Sequence, residues 1–390
     1  MKRTVSFKRA VISCICVGVA AVILTCAGVY LLMGDLRHTF LKLSEIDFLT
    51  NKYFFGEISA EELDTQICKG YMSALDDKYA QYLPTEKAEE KFDGFKGVKS
   101  GIGVTVTAHP DDYTMFVVHV SKDSPADKAG VLEKDCIVKV GDTKLAKDTY
   151  SGCYNSMMGE IGDDINVTLL RDGKEIPVTI TIDSFELQSV YSRMVGDYGY
   201  VQITQFSDNT VNQFKLAVEE LCDKGVKGLI FDVTQNGGGT LDSVAEILDM
   251  LLPEGTIVSA QFSDGSEEIL HTSDSAEIEL PMVVLTDNYS ASASELFAVS
   301  IRDYEKGVLI GDTTYGKGVM QTTYKLDDGS SVKFTVSKFF GKNKTDYTGA
   351  GLVPDYPVQL TETEQKYWYL LSDTENPYIL KAVQWLDEQQ

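Results

Sequence analysis

Histidine is scarce: only His38, His109, His119 and His271 occur in 390 residues. No two have metal-ligand spacing. None lies in a motif that would make it the base of a Ser-His-Asp triad. His38 falls in a helical stretch, His109 and His119 in a strand-rich one, and His271 in a polar stretch without a partner motif. No C-x-x-C occurs among the seven cysteines, so the usual zinc framework is absent too. Positive charge is in deficit, with 35 Lys and Arg against 59 Asp and Glu and a net charge of −24. A surface that acidic repels phosphate backbones, which excludes nucleic acid as a partner. The acids are scattered rather than run together, as on an ordinary solvated surface.

Long apolar runs are missing with one exception. From Val11 to Met33 no charge occurs, a length that spans a bilayer as a helix. Lys2, Arg3, Lys8 and Arg9 precede it and Asp35 follows. Positive charge stays in the cytoplasm, so this reads as a single-pass anchor with the rest of the chain outside the cell membrane. A cleaved signal peptide is the rival reading; the run is long for one, and no A-x-A site follows it. Cys14, Cys16 and Cys26 lie in the run. Cys68, Cys136, Cys153 and Cys222 lie outside it among apolar neighbours. Disulfides and buried thiols both stay open for these.

The remaining chain divides by periodicity. Residues 35–95 form a helical arm, with apolar residues every three or four positions and Ser59 capping a helix that has Glu62 three residues on. A packing or homodimerisation role fits it. Residues 96–184 switch to period two, with short strands, an Asp172-Gly173 hairpin turn and a short helix closed at Gly130. The Gly101-Ile102-Gly103-Val104 loop, Ser124-Pro125-Ala126 with Ala129-Gly130, and the Gly141-Asp142 turn resemble a PDZ domain. That resemblance implies capture of a peptide C-terminus by the backbone N–H groups of Gly101, Ile102, Gly103 and Val104.

Residues 185–360 alternate strand and helix, an α/β layered core with a largely parallel sheet. Residues 361–390 follow as a helical extension. Within the core the apolar strand ending at Leu285 leads through Asp287-Asn288 to Ser290-Ala291-Ser292-Ala293-Ser294-Glu295 at the start of a helix. Serine there is ordinarily a cap. It is also where unpaired N–H groups and the helix dipole would favour an oxyanion. A lysine can stand in for the missing histidine base if burial lowers its pKa. Lys317, between Gly316 and Gly318, is the candidate; the alternative is a surface lysine or an anion binder.

From Tyr53 to Pro357 the motifs together resemble the carboxy-terminal processing, or tail-specific, protease family. The matching stretches are Gly70 to Tyr79, Gly199 to Phe206, Asp232 to Gly239, Ser290 to Glu295, Gly316 to Gln321, and Gly351 to Asp355. The resemblance implies a crotonase-like core and a serine endopeptidase without metal or organic cofactor. Ser292 would be the nucleophile and Lys317, twenty-five residues on, the base. Gln321 would hold the lysine amine, and Gly238 or Gly239 with Ala293 would supply the oxyanion donors. Asp303 matches an acidic position of structural role. Substrates would carry apolar C-terminal tails. Thr234 and Gly237 depart from the family's arginine and proline, and Met158 stands where members often have arginine. The second reading is an inactive PDZ scaffold on a protease-like core.

Overall fold

The computed structural model describes residues 7–32 and 34–390, without the side chains of residues 7–10, 14, 26, 29, 31, 32 and 35. Lys2 and Arg3 therefore lie outside the described residues, as do the side chains of Lys8, Arg9, Cys14 and Cys26. The chain forms two compact units, Met1–Ile67 and Cys68–Gln390.

The first unit is helical, with Phe7–Leu32, Arg37–Tyr53 and the start of Ala60–Ser73. The expected membrane-spanning helix is not supported: among the described residues no helix is long and apolar enough to cross a membrane. Phe40, Leu41, Phe48 and Leu49 are exposed on the next helix.

In the second unit, residues 190–357 supply a six-stranded sheet. Its order is Val190–Val195, Tyr198–Ile203, Leu229–Asp232, Met282–Thr286, Gly307–Gly311 and Tyr356–Pro357. The first pair is antiparallel and the others are parallel. Leu229–Asp232 and Met282–Thr286 are buried at every residue, because both faces of the sheet are covered. Phe231 and Val284 face helices Asp208–Asp223, Leu241–Asp249 and Ala293–Asp303, while Ile230, Val283 and Leu285 face the C-terminal helix Pro377–Asp387.

Of a second, antiparallel sheet, the sequence shows only the two strands joined by Asp327-Asp328-Gly329, Val319–Lys325 and Ser331–Phe340. Gln81–Leu83, Ser331–Phe340, Gly255–Phe262 and Glu267–Ser273 lie in that order, with Val319–Lys325 also on Ser331–Phe340. The core is thus α/β with mixed sheets rather than one largely parallel sheet. Exposed, charged strands such as Glu267–Ser273 lack the buried runs that make strands legible.

Residues 104–181 form the PDZ sheet, ordered Val104–Ala108, Met115–Val120, Cys136–Val140, Asp164–Arg171 and Lys174–Thr181. Its core holds Met115, Val117, Ile137, Leu169 and Ile180. The Asp172-Gly173 turn has φ of 51° and 75°, both left-handed, as the tight hairpin requires. The PDZ domain is braced against the core. His119 stacks on Tyr191 at 3.7 Å and its Nε2 lies 3.1 Å from Gln202 Oε1. From the C-terminal extension, Lys366 and Tyr367 both reach Asp111, at 2.6 and 2.5 Å.

Cys136, Cys153 and Cys222 are unpaired thiols. Burial pushes the thiols of Cys136 and Cys153 up. Cys222, expected among apolar neighbours, instead faces solvent from the polar side of helix Asp208–Asp223.

Candidate active site

The three serines of the 290–294 segment have different fates. Ser290 and Ser294 are fully buried. Ser290 Oγ donates to Val233 O at 2.8 Å, and Ser294 Oγ donates to Asn236 O at 2.9 Å. Both tie the serine turn to the glycine-rich turn after strand Leu229–Asp232. Ser292 is only half-buried and has φ 60° and ψ −113° at the entrance of helix Ala293–Asp303. A non-glycine residue held there is strained, and such strain marks sites where the surrounding structure fixes a side chain for use.

The glycine turn meets this serine directly. A Cβ on Gly238, whose φ is +103°, would lie 2.7 Å from Ala291 O and 2.9 Å from Ser292 Cβ. Only glycine permits that approach. Gly238 N–H donates to Asn236 Oδ1 at 2.8 Å. The N–H groups of Gly239 and Ala293 have no acceptor among the described residues, and Ala293 opens the helix.

Glu295 joins the serine turn to the lysine loop. It is fully buried. Its Oε1 accepts from Thr314 Oγ1 at 2.6 Å and Gly316 N at 2.7 Å; its Oε2 accepts from Ser292 N at 2.9 Å and Lys317 N at 2.7 Å. Tyr315 N adds a bond to Ser290 O at 3.0 Å. Gly316, with φ +88°, packs so tightly on residues 349–351 that a Cβ would lie 2.8 Å from Gly351 N. The sequence marked Glu295 only as a helix-start residue; an acid followed by a hydroxyl-rich Gly-Lys-Gly loop was the signal available.

The Lys317 side chain is half-buried, and its Nζ lies 4.8 Å from the centre of the Tyr79 ring. Burial holds its ammonium below the ordinary lysine value, Lys333 and Lys78 add repulsion, and Glu295 opposes the shift. Among the described residues no hydrogen bond joins Lys317 Nζ to Ser292 Oγ or to Gln321. The Gln321 amide instead donates to Val319 O at 3.1 Å and Thr335 Oγ1 at 3.3 Å. Asp303 accepts from Asn343 N at 3.0 Å, away from the serine turn. His271 pairs with Asp242 at 2.9 Å and does not contact Ser292. Among the described residues no group of His, Cys, Asp and Glu could hold a metal ion.

The PDZ loop borders a separate groove. A cavity of about 190 Å³ is lined by Gly101, Ile102, Gly103 and Val104 together with Met157, Met158, Phe185 and Leu187. Gly103, with φ +87°, lets the loop pass Ser124, where a Cβ would lie 2.2 Å from Ser124 Cβ. Among the described residues the N–H groups of Ile102 and Gly103 have no acceptor. A larger cavity, about 790 Å³, lies between the PDZ strand Met115–Val120, the strand ends at Asp232 and Asp312, and the C-terminal extension; it touches neither Ser292 nor Lys317.

A strained serine thus lies between two loops, and the groove at the 101–104 loop is separate from it. Residues 197–358 match peptidase family S41, and residues 100–182 match a PDZ domain. The chain is 30% identical over 328 residues to the carboxy-terminal processing protease CtpA of Bacillus subtilis, covering 82% of this chain and 70% of that protein. It is 30% identical over 338 residues to the carboxy-terminal-processing protease of Bartonella bacilliformis, covering 84% and 77%. Among solved structures, the photosystem II D1 C-terminal processing protease superposes with a TM-score of 0.51 at 25% identity, over 83% of this chain and 88% of that one. An S41 protease from Bacteroides fragilis shares the fold with a TM-score of 0.58 at 19% identity, over 87% and 99%. The chain belongs to the carboxy-terminal processing protease family, and is a serine endopeptidase.

Proposed function

We propose that Ser292 is the nucleophile and Lys317 its base. A neutral Lys317 amine takes the proton from Ser292 Oγ, and the alkoxide attacks a peptide carbonyl. The resulting oxyanion is held by backbone N–H groups of the 238–239 turn and Ala293. Collapse expels the amine, which takes the proton from Lys317, and leaves an acyl-enzyme on Ser292. Water then releases the acyl group by the same route in reverse order. Gln321 steadies the lysine amine once its side chain swings from Tyr79 toward Ser292.

The observation that carries this reading is the contrast within the serine segment. Ser290 and Ser294 are buried donors to carbonyls, whereas Ser292 stands strained against Gly238, with its N–H on the same carboxylate as that of Lys317. A fluorophosphonate probe tests it when labelling is mapped by peptide mass spectrometry in the presence of a tailed peptide. Label on Ser292, lost in Ser292→Ala, supports the assignment; label on Ser290 or Ser294 contradicts it.

The PDZ domain holds the substrate's C-terminus at the loop 101–104, and the 190 Å³ apolar cavity beside it favours an apolar terminal side chain. The uncharged run from Val11 to Met33 supports membrane anchoring with the catalytic part outside. Fractionation of the full chain, with alkaline carbonate washing, tests that placement: retention in the membrane pellet is expected, and release into the wash contradicts it. The exposed apolar residues of Arg37–Tyr53 support pairing of two copies through the arm.

A further inference from the structure

The chain carries a net charge of −24, yet the charge around the lysine loop is reversed. Four lysines converge there from four elements. Lys78 follows helix Ala60–Ser73, Lys91 lies on helix Thr85–Lys96, Lys317 is in the loop, and Lys333 is on strand Ser331–Phe340. Lys78 and Lys317 share one aromatic ring, with Nζ atoms 4.9 and 4.8 Å from the centre of Tyr79, and Lys78 also lies 5.2 Å from the Tyr315 ring. Lys333 lies close enough to repel both Lys91 and Lys317.

The arrangement is built rather than accidental. Asp77 accepts from Tyr79 N at 2.9 Å and Thr335 N at 2.8 Å, and strand Gln81–Leu83 pairs Gln81 opposite Lys333. These contacts fix the segment carrying Lys78 and Tyr79 over the strand carrying Lys333. Some lysines of this chain find carboxylates, as Lys306 does with Glu277 and Lys338 with Asp346, and others stand alone on the surface. Among the described residues none of these four has an ion-pair partner. The two acids within electrostatic reach, Asp77 and Glu295, are already held by backbone and hydroxyl donors.

Three of the four, Lys91, Lys317 and Lys333, are half-buried. Half-buried ammonium groups without counter-charge are costly, and the group must lose its proton or gain an anion. Burial and the neighbouring Lys333 take Lys91 down to about 8. We propose that Lys78, Lys91 and Lys333, grouped around Lys317, form a subsite for a carboxylate of the peptide substrate, placed within a residue or two of the scissile bond. The assignment rests on the proposed Ser292 and Lys317 roles, since they put the cluster beside the bond that is cut. Lys317 itself stays outside the subsite, since a carboxylate held on its amine would keep it protonated; the carboxylate arrives with the peptide on the other three lysines and leaves with the product. The carboxylate is either an Asp or Glu side chain or the chain's own C-terminus.

The test is binding to full-length Ser292→Ala enzyme, which needs no turnover. Fluorescent peptides share one apolar tail and carry Asp or Asn at successive positions before it, each with a free or amidated C-terminus. The subsite predicts that Asp binds about tenfold more tightly than Asn at one position, or that an acid/amide gap of that size exists. That gap closes in the Lys91→Met/Lys333→Met variant and halves in each single variant. A side-chain source and a C-terminal source are told apart by which gap closes; capture of the C-terminus in the PDZ groove leaves an acid/amide gap that survives in the double variant. Equal binding of Asp and Asn peptides together with an acid/amide gap that persists without Lys91 and Lys333 overturns the proposal. Failure of the catalytic reading shows separately, as cleavage of these peptides by the Ser292→Ala enzyme.

Discussion

Ser292 and Lys317 donate their backbone N–H groups to one oxygen atom, Oε2 of Glu295, at 2.9 and 2.7 Å. The other oxygen of that carboxylate holds Thr314 and Gly316. The serine turn and the lysine loop are therefore registered on a single buried carboxylate. Four donors from two segments converge on it, and bonds to a charged acceptor are each worth about 1.5–3 kcal/mol.

Glu295→Gln keeps the shape of the side chain but turns an acceptor edge into an NH₂ group facing N–H donors. The lysine loop loses its register with Ser292, and kcat falls about a hundredfold, a loss of roughly 3 kcal/mol in the barrier term. KM for a tailed peptide stays within a few-fold, because the PDZ groove is untouched. Steady-state kinetics on a soluble peptide check this. A variant with normal kcat contradicts the role given to Glu295.

The serines separate by what their removal does. Ser292→Ala abolishes peptidase activity at a cost in stability no larger than that of a lost helix cap, about 0.5–2 kcal/mol, since Ser292 stands at the N-cap of helix Ala293–Asp303. Ser290→Ala and Ser294→Ala each leave a buried carbonyl, Val233 O or Asn236 O, without its donor, which costs about 1–3 kcal/mol of stability. Thermal denaturation and a peptide assay on all three variants check the pattern. Full activity in Ser292→Ala, or inactivation confined to Ser290→Ala, breaks it.

Free and amidated peptides differ at the PDZ groove. The N–H groups of Ile102 and Gly103, without an acceptor among the described residues, lie beside the apolar cavity. Amidation removes the terminal charge and weakens binding by about tenfold. Calorimetry with Ser292→Ala enzyme measures it. Equal affinity for acid and amide contradicts capture of the C-terminus by this loop.

Much of this site was legible because its parts are local. The apolar run before Asp287, the small residues after it and the Gly-Lys-Gly loop each announce themselves within a few positions. The partners do not. Ser290 and Ser294 bond carbonyls 57 and 58 residues away, and nothing in their spacing names Val233 or Asn236. Glu295 reads as an ordinary acid in a first helical turn until the loop at Thr314 folds onto it. Gln321 was placed at the lysine amine by resemblance, whereas here it bonds Val319 and Thr335 while the amine rests on Tyr79. Strands Gly255–Phe262 and Glu267–Ser273 escaped because one is flanked by, and the other made of, half-exposed polar residues. The lysine cluster draws on residues from 78 to 333 and has no sequence signature.

The central claim is that a neutral lysine activates Ser292, and the pH dependence of kcat/KM tests it most directly. Only the deprotonated Lys317 can accept the serine proton. Burial, with help from Lys333 and Lys78 and against Glu295, lowers its pKa, so activity rises with pH below the range where an ordinary lysine titrates and then levels off. Lys333→Met removes one like charge, raises the Lys317 pKa and moves the rising limb to higher pH. Lys317→Arg stays protonated throughout and loses activity by about a thousandfold or more at every pH. The account predicts that ordered set of profiles for one tailed peptide. An active Lys317→Arg enzyme with an unchanged profile would contradict it.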